Sequence, residues 1–153
     1  MSTRKQPTVP PRWFVTTAWK VHRGLYRITG HRFGLWAPGG SRGWGALELT
    51  TTGRSSGEPR RVIVGYLEDA GAPIVVAMNG WGEGEPAWWR NLQANPSATI
   101  RERHGAARSV MAREAVGAER DRLWALWREV EPRLDEYAAL RRTRTAVVVL
   151  APA

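Results

Sequence analysis

The chain contains no cysteine. Disulfides, a thiolate nucleophile and any cysteine-ligated zinc or iron–sulfur centre are thereby excluded, and a reducing cytoplasm is the natural setting. Long apolar runs are missing as well. No stretch of about eighteen apolar residues is present, and no charged-then-apolar leader precedes a small-residue cleavage site, so neither a membrane span nor export is expected. Histidine is scarce, and His22, His31 and His104 are scattered without partners at metal-ligand spacing, so no metal site is expected. Lysine is nearly absent, and acids are rare in one part of the chain. From Met1 to Arg61 there are 11 basic residues against only Glu48 and Glu58, whereas the remainder carries 12 of each sign. The whole net charge of +9 therefore sits in the N-terminal part, where it attracts phosphates, anionic headgroups or nucleic acid.

What is present reads as one domain. At 153 residues, 42% hydrophobic and 24% charged, the chain is long enough for a single core of ordinary composition. Residues 1–11, with Pro7, Pro10 and Pro11 among polar residues, read as a flexible basic arm, and 12–153 as the folded domain. At roughly 100° per residue, Phe14, Ala18, Val21, Leu25 and Ile28 share one helical face while Arg12, Thr16, Lys20, Arg23 and Arg27 lie opposite. Such a helix either covers the core with its basic side in water or rests on the anionic inner face of the cell membrane, with Trp13 at the boundary.

His31 to Gly45 is an irregular, aromatic-rich connection with room for a short strand. Ala46 to Thr51, Arg60 to Leu67 and Ala72 to Met78 read as strands, the last buried on the strength of Ile74, Val75 and Val76. Asn79 to Glu85 is a glycine-rich loop. Pro86 opens a helix whose apolar surface is Trp88, Trp89 and Leu92, and Asn95-Pro96 stops it. Ser97 to His104 and Ala107 to Arg113 form a hairpin turned at Gly105. Helices are expected over Ala118 to Val130 and Leu134 to Leu140, and Ala146 to Leu150 supplies a closing strand. This pattern predicts an α+β chain, mainly β, built on a small antiparallel barrel.

The most informative stretch is Leu47 to Arg61, which sets hydroxyls, two glycines and three arginines in a turn between two strands. Glycines allow positive φ and close backbone approach, so neighbouring N–H groups converge on an anion that arginines grip bidentately. The plainer alternative is an exposed polar hairpin that binds nothing.

Thr50-Thr51-Thr52-Gly53-Arg54, Ser56-Gly57 and Pro59-Arg60, then Val76-Ala77-Met78-Asn79-Gly80, then Pro86-x-Trp88-Trp89-x-Asn91-Leu92-x-Ala94-Asn95-Pro96 follow in one order. Over Leu47 to Pro152 this pattern resembles the deazaflavin-dependent nitroreductase family. The resemblance implies a split antiparallel β-barrel of the flavin-reductase type with flanking helices. It also implies coenzyme F420, an 8-hydroxy-5-deazaflavin hydride carrier with a phosphate and an oligoglutamate tail, with flavin mononucleotide as the lesser alternative. Carried over by position, Arg54, Ser55, Ser56, Gly57 and Arg60 hold the phosphate region, Ala77, Met78, Asn79 and Gly80 line the ring and tail, and Pro86 and Asn91 border the deazaflavin. Tyr137 matches a tyrosine that the best-known nitroreductase places near its substrate. This chain departs from the family pattern at several positions. Ser55 and Asn79 stand where many members carry lysine, Trp81 replaces a second glycine, Glu83 and Glu85 add negative charge beside the expected tail, and Glu131 and Leu134 occupy two positions where tyrosines are found.

The implied reaction is F420H2-dependent hydride transfer to a small-molecule electron acceptor, a quinone, an activated alkene or a nitro compound. The cofactor carries the hard chemistry, so no triad or metal is required. Tyr137 is the candidate donor of a hydrogen bond or proton to the reduced acceptor, the alternative being a packing tyrosine with its hydroxyl in water. Trp81 is expected at the mouth of the cofactor site. A second reading keeps the fold without catalysis, as a carrier of the cofactor or of a fatty acyl ligand. A third is nucleic-acid binding by charge, but the sequence has no recognised nucleic-acid module, so no specific nucleic-acid partner is expected.

Overall fold

A computed structural model describes residues 34–153. The expected arm over 1–11 and the amphipathic helix over 12–28 lie outside the described residues. Six strands close into an antiparallel barrel: β1 (Gly45–Thr52), β2 (Pro59–Asp69), β3 (Ala72–Val76), β4 (Ser97–Arg101), β5 (Arg108–Glu114) and β6 (Val147–Pro152). Their order around the barrel is β1-β2-β3-β6-β5-β4. Helix α1 (Ala87–Ala94) follows β3, while α2 (Gly117–Val130) and α3 (Leu134–Ala139) separate β5 from β6. Every expected strand is present, and the mainly-β barrel with flanking helices is the fold. Among the described residues, the connection before β1 contributes a bridge, Trp36 to Ala46, with the Trp36 indole N–H donating to the Trp44 carbonyl at 2.9 Å.

Strand periodicity divides the core in two. Leu47, Leu49, Val64, Val75, Ile100, Val110, Val148 and Leu150 point inward, and α1 closes the barrel with Trp89 and Leu92. Ile74, Val76, Val147 and Val149 point outward and are covered by Leu123 and Trp127 of α2 and Leu134 of α3. β3 and β6 are therefore buried on both faces, which is why Ile74-Val75-Val76 and Val147-Val148-Val149-Leu150 read as unbroken apolar runs. The strands exposed on one face alternate instead, as in β5, where Val110 and Ala112 are buried and Met111 is exposed.

One feature of the pairing creates a cleft. β2 pairs with the whole of β1 through Pro59 to Tyr66, but with β3 only at Leu67, Glu68 and Asp69. From Ile74 the third strand pairs with β6, its Val76 opposite Val147, while its pairing with β2 stops at Ile74. The Pro59–Tyr66 stretch of β2 thus has no β3 partner, and the barrel is split along that edge.

Candidate functional site

The split opens a groove of about 680 Å³. Arg60 to Gly65 of β2 form one side, Val75, Val76 and the Met78–Gly80 turn another, and Pro86, Ala87, Trp88 and Asn91 of the α1 end a third. Thr51 and the Gly53–Ser56 turn close the end where the arginines gather. The groove is therefore cationic at one end, with Arg54, Arg60 and Arg61, and apolar along its length, with Val62, Val64, Val75 and Trp88. A volume of this size suits a small molecule or cofactor.

The β1–β2 turn is held from within and from below. Gly53 N–H donates to the Glu58 carbonyl at 2.8 Å and Gly57 N–H to the Gly53 carbonyl at 2.8 Å. The Ser56 hydroxyl accepts from the Glu58 N–H at 3.2 Å and from Arg60 Nη2 at 3.3 Å, so it orients that guanidinium. A β-carbon on Gly53 would stand 2.6 Å from Ser56 Oγ and 3.1 Å from the Glu58 carbonyl oxygen, so a larger residue there displaces the Ser56 hydroxyl from Arg60 and presses on the turn's backbone. Below it, Asn91 is 4% exposed and Thr51 2%. Asn91 Oδ1 accepts from the Arg54 backbone N–H at 3.2 Å and from Arg54 Nη1 at 3.0 Å, while its Nδ2 donates to Thr51 Oγ1 at 3.0 Å. Helix α1 thereby sets the position of the Arg54 turn.

The second loop takes its shape from an unusual backbone. Asn79, Gly80 and Trp81 all have positive φ, at 49°, 61° and 62°, forming a short left-handed turn. The Asn79 side chain donates to the carbonyls of Glu83 and Gly84 at 2.9 and 3.2 Å. Glu83 faces the β6 side of the molecule, where its carboxylate accepts from the backbone N–H of Arg142 at 2.7 Å and from the N–H and hydroxyl of Thr143 at 3.2 and 3.0 Å. Those bonds, led by the Arg142 N–H, hold the Glu83 carboxyl below the usual carboxylate range. Glu85 lies near Gln93 at 3.5 Å.

The structure gathers Arg54, Ser55, Ser56, Arg60, Met78, Asn79, Gly80, Pro86 and Asn91 around the groove. Gly57 stands at the outer tip of the turn, where its φ of 72° reverses the chain, and Ala77 is buried in the barrel core behind the lining. Tyr137 lies apart on α3. Its ring stacks on Trp81, with centroids 5.6 Å apart and planes at 20°, and the Arg133 guanidinium sits 5.4 Å from the ring centre. Trp81, expected at the groove mouth, instead packs against the outer core under α2 and α3, leaving Gly80 to line the wall. Arg61, one of the three arginines of the turn, also lines the groove, while Thr51, Val62 and Val64 are lining residues that sequence reasoning missed. Their strand character was readable, but the place where the β2–β3 ladder stops was not.

Comparison with known proteins bears on what this groove holds. Residues 20–152 match the family model described as F420H(2)-dependent quinone reductase. F420H(2)-dependent quinone reductases of Mycobacterium tuberculosis, from strains H37Rv and CDC 1551, are each 36% identical over 81 residues, 53% of this chain and 52% of the relative. The match thus spans about half the length of these curated relatives. Among solved structures, an F420-H2 dependent reductase (FDR-A) superimposes with a TM-score of 0.59 at 31% identity, covering 68% of this chain and 92% of its own. A protein solved as a domain-swapped dimer gives 0.64 at 28% identity, covering 88% and 98%.

Proposed function

The chain belongs to the F420H(2)-dependent quinone reductase family, and on that premise we propose that it transfers a hydride from reduced F420 to a quinone. The observation that carries this reading is the split groove itself, cationic at one end and apolar along its length. A phosphate and acidic tail suit Arg54, Arg60 and Arg61, whose guanidinium forks match phosphate oxygens, with Ser55, Ser56 and the turn's backbone beside them. The flat deazaflavin suits the walls formed by Val62, Val64, Val75 and Trp88, bordered by Met78 to Gly80, Pro86 and Asn91. Asn79 and Ser55 offer uncharged hydrogen-bonding groups at positions where the resemblance sets lysines, so Arg54, Arg60 and Arg61 supply the cationic side chains of this lining.

When bound, reduced deazaflavin would supply a hydride, which carries both electrons of the reduction, and the quinone takes up one further proton to become the hydroquinone. The chain's own residues bind, orient and exclude water. Asn91 fixes the Arg54 turn, Ser56 fixes Arg60, and the apolar walls keep the reacting faces dry. Tyr137, which lies outside the groove lining but stacks on Trp81, the neighbour of the lining residue Gly80, is the proposed donor to the reduced acceptor. Quinones with long side chains reside in lipid, and the alternation of Phe14 to Ile28 with basic residues supports contact with an anionic membrane surface. No helix among the described residues is long and apolar enough to cross a membrane.

The test is anaerobic mixing of the protein with reduced F420 and a soluble quinone such as menadione, following cofactor fluorescence as the oxidised form appears. Catalytic turnover supports the reading; binding with no consumption of cofactor identifies a carrier and contradicts it.

A further inference from the structure

The left-handed turn at the groove wall is clamped from the far side by a residue with no place in the site described so far. Arg141 is 7% exposed, yet its hydrogen-bond acceptors among the described residues are all neutral oxygens. Nε donates to the Gly82 carbonyl at 2.8 Å, Nη2 to the Gly84 carbonyl at 2.7 Å, and Nη1 to the Ala77 carbonyl at 3.2 Å and Thr145 Oγ1 at 2.6 Å. The three carbonyls flank the turn on both sides: Ala77 precedes Asn79–Trp81, and Gly82 and Gly84 follow it. Reciprocal bonds tie the same two segments, with Gly84 N–H donating to Thr143 Oγ1 at 2.9 Å and the Glu83 carboxylate capping the N–H groups of residues 142 and 143.

Two facts make this clamp more than general packing. A tryptophan at φ 62° occupies a region that side chains disfavour, so the turn needs external support to persist. Met78, Asn79 and Gly80, the residues held between the clamped carbonyls, line the groove. A planar fork of five donors can satisfy four fixed acceptors around one centre, which a lysine ammonium cannot.

We propose that Arg141 is the positioning residue of the groove's loop wall: its guanidinium, bridging the carbonyls of Ala77, Gly82 and Gly84, holds Met78–Gly80 in the shape that receives the cofactor. The proposal rests on the F420 reading for the identity of that ligand, while the clamp itself does not. Arg141→Lys keeps the charge and removes the fork, Thr143→Val removes the hydroxyl's bonds to the Gly84 N–H and the Glu83 carboxylate while leaving the backbone N–H bonds to Glu83, and Leu123→Ala in the outer core serves as a control for general destabilisation.

Each is examined at a temperature where circular dichroism shows it folded, by hydrogen exchange at the Trp81 and Gly82 amides and by calorimetric titration with F420. The expected result is exchange faster by about tenfold and an F420 Kd weaker by about tenfold in Arg141→Lys, the cost of about one lost hydrogen bond to a charged donor. Thr143→Val should move both readings the same way by a smaller factor, and the Leu123 control should leave the Kd within about twofold of wild type. Unchanged exchange in Arg141→Lys, or faster exchange with an unchanged Kd, overturns the proposal. Should Arg141→Lys not fold, Thr143→Val decides by the same criteria. If the wild-type protein takes up no F420, the cofactor assignment falls, and the exchange data alone judge the clamp.

Discussion

Asn91→Ala is the sharpest perturbation of the site, because one buried amide organises both the barrel edge and the arginine turn. The substitution removes three hydrogen bonds: two accepted by Oδ1 from Arg54, at 3.2 and 3.0 Å, and one donated to Thr51 Oγ1 at 3.0 Å. Each is worth about 1 kcal/mol net, the Arg54 guanidinium bond being discounted because that side chain reaches solvent. Thr51, 2% exposed, also loses its donor while keeping only a 3.5 Å contact to the Arg60 carbonyl. The total comes to about 2–4 kcal/mol. For a domain of this size that lowers Tm by roughly 4–16 °C. Released from the helix, Arg54 must be ordered by the ligand itself, which weakens F420 binding by about 5–30-fold. Thermal unfolding by circular dichroism and calorimetric titration measure the two effects. A variant whose Tm stays within about one degree and whose Kd stays within about twofold would refute the role assigned to Asn91.

Gly53→Ala should weaken F420 binding by about tenfold or more, because the added carbon lies 2.6 Å from Ser56 Oγ. Gly57→Ala meets open space and costs only its φ of 72°, about 1 kcal/mol of stability seen in chemical denaturation; equal loss of affinity in the two variants would contradict the close-packed turn. Tyr137→Phe should lower kcat by about tenfold or more with the F420 Kd unchanged, and an unaltered kcat would return Tyr137 to packing alone. Tyr66 is 3% exposed, and burial, with Glu102 and Glu68 nearby, pushes its phenol up to about 12. Because the folded state holds that proton more tightly than the unfolded chain, Tyr66 favours folding fully below pH 10 and less as pH rises from about 10 to 12. The loss is on the order of 2–3 kcal/mol, and Tyr66→Phe should flatten the denaturation midpoint across that window; a variant that follows the wild-type curve contradicts the assignment.

Much of the barrel was legible because its signals are local. Val147 to Leu150 and Ile74 to Val76 announce strands buried on both faces, Asn95-Pro96 ends α1, and Pro132 separates α2 from α3. The arginine turn was legible for the same reason: glycine, serine and arginine within one hairpin carry their chemistry in their spacing. What escaped was set by distant pairing. Nothing local says that the β2–β3 ladder stops at Leu67, although that stop creates the groove. Arg141 reaches carbonyls 57 to 64 positions away, and a lone arginine among Arg142 and Arg144 carries no sign of burial. Trp81 was placed at the mouth by its glycine-rich neighbours, but its indole gains more from Tyr137 and the outer core than from open solvent, and that apolar pull turns it inward. Nor does any local signal show that two backbone amides and a hydroxyl of the segment before β6 take up the charge of Glu83.

Calorimetric titration of the full chain with F420, flavin mononucleotide and a nicotinamide dinucleotide, side by side and at two salt concentrations, tests the central claim most directly. F420 should bind tightest, with affinity weakened when salt is raised and reduced by tenfold or more in the Arg54→Ala, Arg60→Ala double variant, since two charge-assisted contacts are worth about 1.5–3 kcal/mol each. Equal affinity for all three ligands, or an F420 affinity that survives removal of both arginines in a folded protein, would contradict it.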